Sequence, residues 1–119
     1  RNFQLAKAAV FSGIEVLVQK AKVDAESLSK GASLYLAGGF GTRLDAHDAC
    51  VTGMIPAALE KSVVQAGNAA LSGASMLLFD AELRKKATVL ARKAQNINLS
   101  DEVGFQALYI KALNFPDLL

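Results

Sequence analysis

The chain holds 119 residues, 52% apolar and 20% charged, a balance that suits one packed domain, or part of one, rather than a disordered segment. Its formal net charge of +2, with basic and acidic residues interleaved outside Arg84-Lys85-Lys86, gives no reason to expect nucleic acid or a membrane surface as partner. Cys50 is the one cysteine, which excludes an intrachain disulfide and a cysteine metal cluster and fits a reducing cytoplasm, and no apolar run reaches the ~18 residues of a spanning helix.

Residues 2–22 predict one long helix, because Leu5, Ala6, Ala9, Val10, Ile14, Leu17, Val18 and Ala21 recur at helical spacing. Phe3, Phe11 and Val16 widen that apolar surface, so much of this helix is expected to be buried, with Gly13 marking close packing. Residues 24–31 are polar and predict a turn with a short helix around 25–29. The run "SLYLA", 33–37, lies between glycines and predicts a buried strand. Residues 45–52 predict a helix with Asp45 as N-cap and Gly53 past its end, and Pro56 sits in a connector. Residues 62–66 predict a second strand beside the first. Asn68 then opens the small-residue helix "NAALSGASMLLF", and 80–94 form a helix with a charged face. A third strand is expected at 97–99. Ser100 should cap a helix over 101–112, with Asp101 and Glu102 in its first turn, and Pro116 stops the pattern. Helices alternating with short strands give an α/β class.

The strongest local signal is "LAGGFGTRLD". Three glycines in four positions, Gly38, Gly39 and Gly41, leave the first strand, where one would be enough to end it. Glycine there permits positive φ and lets a flat group approach the backbone. In open α/β sheets ligands bind beyond the carboxyl ends of strands, so a purine or ribose against this turn is physically sensible. The alternative is a tight strand-to-helix turn with nothing bound. A P-loop would need Gly-Lys-Ser/Thr, whereas Thr42 and Arg43 follow Gly41, and the dinucleotide fingerprint would need a glycine where Leu44 stands. In "DAHDAC", His47 and Cys50 share i, i+3 spacing, but two ligands make no zinc site and no orienting group for a nucleophilic pair can be placed. The expected role of Cys50 is structural, with no catalytic or metal-binding residue assigned in the chain.

Taken together and in order, "QLAKAAVFSGIEVLV", "LYLAGGFGTRLD", "GMIP", "GNAALSGA" and "ALNFP" resemble the C-terminal part of the ATP-dependent reductive activators of corrinoid proteins, over about Gln4 to Pro116. The resemblance implies an actin-like, ribonuclease-H-like ATPase fold in which 1–119 form a single-domain fragment, the last portion of the second lobe. It implies an adenosine motif at Gly38, Gly39, Phe40 and Gly41. It also implies an interlobe helix carrying Ala69, Ala70, Gly73 and Ala74. Whole members of the family use ATP with Mg, carry a [2Fe-2S] ferredoxin-like domain elsewhere in the protein, and reduce over-oxidised Co(II) corrinoid proteins. The chain, which opens on Arg1, is therefore expected to be a fragment without activity of its own, and a homodimer is a further expectation. Two rival readings belong to the same superfamily: a piece of a sugar- or acetate-type kinase, and a non-catalytic interaction module.

Overall fold

The computed structural model describes residues 1–24, 27 and 31–116. The short helix expected around 25–29 therefore lies, apart from Ser27, outside the described residues. The chain divides into two compact units. The first comprises Arg1–Tyr35, Leu44–Val64 and Asn98–Leu119; the second comprises Leu36–Arg43 and Gln65–Ile97.

In the first unit, helix α1 (Asn2–Ala21) runs for 20 residues and packs against helix α6 (Phe105–Ala112). Lys22, with φ 53°, closes α1 by turning its N–H back to Gln19 and Val18. Helix α1 does not bury the face that periodicity favours. Lys7, Ala8, Ser12 and Val16 point inward, while Leu5, Ala6, Ala9, Val10, Leu17 and Ala21 are exposed. Lys7 meets acceptors on that face: its ammonium donates to the Ala112 carbonyl at the C-terminus of α6 and to the Asn114 carbonyl two residues beyond it.

Helix α3 (Ala46–Val51) starts where Asp45 accepts from the Asp48 N–H at 3.0 Å. It ends at Gly53, φ 74°, after which the Met54 and Ile55 N–H groups both return to the Ala49 carbonyl. That reversal drives Met54 and Ile55 inward beside Ala49, Cys50 and Leu59, the last on a 3-10 turn at Ala57–Ser62.

Strands β1 (Leu34–Ala37) and β2 (Val63–Gly67) are parallel neighbours in a two-stranded sheet, as expected. Each strand gives its first residues to the first unit and its last to the second. The third strand expected at 97–99 does not form. Residues 94–98 are irregular and Leu99–Asp101 make a 3-10 turn. Ser100 is no N-cap either: its hydroxyl bonds Asn98 Oδ1 at 2.9 Å, and α6 begins four residues after Asp101, behind Gly104 at φ 87°. Glu102 is taken by Lys20 of α1, 2.8 Å away, instead of serving a helix start.

In the second unit, β1 leads into a one-turn helix α2 (Gly38–Gly41), and β2 leads through Asn68 into α4 (Ala69–Phe79). Asn68 Oδ1 accepts from the Leu71 N–H at 3.1 Å, and Asp80 opens α5 (Ala81–Lys93) by accepting from Glu82 and Leu83. Arg84 reaches back along this hairpin and donates to the Leu77 and Leu78 carbonyls at 2.6 and 3.2 Å, capping the end of α4.

Candidate nucleotide turn

The carboxyl ends of β1 and β2 lie at the same end of the sheet because the strands run parallel, and each leaves through a glycine at positive φ: Gly38 at 82° and Gly67 at 60°. Helix α2 starts at Gly38 itself, and α4 starts after Asn68, one residue beyond Gly67. The glycine turn and "GN" are thus two halves of one strand-end arrangement. The turn is closed by Thr42, whose N–H donates to the Gly38 carbonyl at 3.1 Å and whose hydroxyl donates to Gly39 O at 3.0 Å.

The three glycines of this turn have different reasons to be glycine. Gly38 needs its positive φ. Gly41 needs its missing side chain, because a Cβ there would stand 3.0 Å from the Leu36 carbonyl carbon. Gly39 needs neither: its φ is not in the left-handed region, and a Cβ would meet nothing within 4 Å. Of the two ways in which a side chain at Gly39 could do harm, backbone strain is therefore removed. Phe40 has helical backbone here, and its side chain lies outside the described residues. Ala69, Ala70 and Ala74 of α4 are exposed and Gly73 is half-buried.

The His47 and Cys50 pair separates. His47 Nδ1 lies 2.9 Å from Glu60 Oε1 on the surface, and that hydrogen bond, with the carboxylate's charge, holds the imidazole pKa above its usual value. Cys50 is buried, with its Sγ 3.9 Å from the Pro56 carbonyl. Burial, aided by Glu60, pushes its pKa up, so it is held as a thiol and lacks the thiolate character of a nucleophile. Among the described residues no three His, Cys, Asp or Glu side chains are grouped as metal ligands could be, and no helix is long and apolar enough to cross a membrane.

Sequence reasoning missed Lys7. Its Nζ donates at 2.6 Å to both Ala112 O and Asn114 O, and its pKa is lowered by burial. A lysine on the charged edge of an amphipathic helix gives no sign that it will turn inward. The "NFP" that follows α6 is the part of the sequence that receives it.

The sequence, taken whole, has known relatives. The family described as the C-terminal domain of RACo, the ASKHA domain, covers residues 1–118. The chain belongs to this family. The expected resemblance to the C-terminal part of a corrinoid-protein activator is borne out, and with it the actin-like α/β class. The corrinoid activation enzyme RamQ of Eubacterium limosum is 29% identical over 117 residues. That match takes in 98% of this chain and 19% of RamQ, so the chain spans about a fifth of the relative's length. No solved structure matches.

Proposed function

We propose that the chain is the nucleotide-binding C-terminal portion of an ATP-dependent reductive activator of corrinoid proteins, with the nucleoside seated on Gly38, Gly39, Phe40 and Gly41. The observation that carries the site is Gly39. Its neighbours Gly38 and Gly41 are accounted for by φ and by packing, whereas Gly39 fronts open space that a flat group would fill. Membership of the RACo C-terminal family and likeness to a corrinoid activation enzyme support the role of the whole protein. In this reading the whole protein is cytoplasmic and binds ATP with Mg. It draws its electron from a [2Fe-2S] domain elsewhere in the polypeptide, and a corrinoid protein is its partner. The contribution of this chain is a backbone surface at two strand ends, without a side chain in the chemistry.

The test uses the whole activator, because the groups that would hold the phosphates are not among those described above. Wild type and Gly39→Ala are titrated with a non-hydrolysable ATP analogue and melted without ligand. The expected result is at least a tenfold loss of affinity, about 1.4 kcal/mol, with apo melting unchanged. Equal affinity in the two proteins would remove the nucleoside from this turn.

A further inference from the structure

The last described residues, 113–116, form a strap that side chains, rather than a backbone ladder, hold on the first unit. Among the described residues its one main-chain to main-chain hydrogen bond runs from the Leu113 N–H to the Ile110 carbonyl at 3.3 Å. The other attachments gather around Lys7. The ammonium takes the Ala112 and Asn114 carbonyls at 2.6 Å each and stands 4.9 Å from the centre of the Phe115 ring. Phe115 also stacks on Phe3, with ring centres 6.4 Å apart. Pro116 fits against Gly53, where a Cβ would come within 2.8 Å of the proline ring. Lys7 itself is only 1% exposed, and among the described residues no carboxylate lies within ion-pair distance of it.

Burying an ammonium is costly unless its protons are satisfied, and removing it leaves the facing oxygens without a donor unless they move out to water. What an apolar residue cannot supply is a directional hold on two main-chain oxygens. We propose that Lys7 is the clasp of a C-terminal strap: its ammonium fixes residues 113–116 in place, and without it the strap swings free while α1 and α6 stay packed. The strap forms one wall of a cleft whose other walls include Phe11, Glu15, Leu108 and Lys111, so its release opens that cleft.

The experiment is amide ¹⁵N relaxation on the whole protein with this segment isotope-labelled, wild type against Lys7→Met. Order parameters at Asn114 and Phe115 should fall from about 0.85 to below about 0.6, with residues 106–111 and α1 unchanged. An ordered strap in Lys7→Met overturns the proposal, as does equal loosening of α6. Should that variant fail to fold, Phe115→Ala keeps the clasp and removes only the ring. The strap should then stay ordered, and a free strap in Phe115→Ala would assign the hold to the ring and overturn the role of Lys7.

Discussion

The two units solve the problem of stability differently. Every buried side chain among the described residues belongs to the first unit, where Ile55, Leu59, Met54, Ala49 and Val16 are withdrawn from water. Among the described residues of the second unit only Gly41 is buried. Helices α4 and α5 have no buried residue, and Leu71, Met76, Leu78, Phe79 and Leu90 are all more than half exposed. What holds the second unit is local: side-chain caps at Asn68 and Asp80, Arg84 across the hairpin, and main-chain bonds. Helices of 11 and 13 residues are marginal in water without a packed face. The candidate nucleotide turn therefore lies in the unit with the least core, among segments that open most readily. The unit with the core carries helix packing, and the other carries the strand-end surface where a ligand would add order.

The sharpest way to break this comparison is a pair of truncations. Ile55→Ala, at a position 2% exposed, should cost about 2–5 kcal/mol by transfer and cavity formation. Leu78→Ala, at 75% exposed, should stay within about 0.5 kcal/mol. Urea unfolding of both variants checks this, and similar midpoints would show that the second unit has a core after all.

A smaller contrast comes from two glycines with positive φ. Gly53→Ala meets both the left-handed backbone and the Pro116 ring, and should cost about 2–3 kcal/mol. Gly67→Ala meets open space, so only the backbone term remains, about 1 kcal/mol. Thermal melts that rank them the other way would mean that the second unit packs more tightly than the first.

The smallest effect is electrostatic and sits on the surface of the first unit. The folded-state pKa of His47 is raised by Glu60, so the protonated form binds more strongly in the folded state. The resulting stabilisation is fully present below the ordinary histidine value near 6.5 and is lost as pH rises through the folded pKa. Stability should therefore fall slightly over that window in wild type, and Glu60→Gln should flatten the slope. A histidine titration by NMR gives the same answer, and an unshifted His47 would end the claim.

Much of the local structure was legible in the sequence. Asp45 and Asn68 cap their helices as their types and positions suggested, because a cap needs only a short polar side chain and the next three residues. The two strands and the glycine-rich exit were legible for a similar reason: an apolar run bounded by glycine has few other uses. The strand expected at 97–99 shows the limit. A strand exists only through a partner, and among the described residues the sheet pairs β1 with β2 alone. Ser100 had the right type for a cap, but Asn98 took its hydroxyl.

The sequence by itself determined the α/β order, the family and the glycine-rich turn proposed for the nucleotide, since these rest on residue types in their order along the chain. Tertiary structure decided which glycine of that turn is in excess, because only coordinates show that Gly38 is left-handed, that Gly41 abuts Leu36, and that a Cβ on Gly39 would meet nothing. It also decided which way α1 faces. Periodicity measures how apolar a helix face is. It cannot see that 105 and 107 residues later two carbonyl oxygens will stand ready for the ammonium of Lys7.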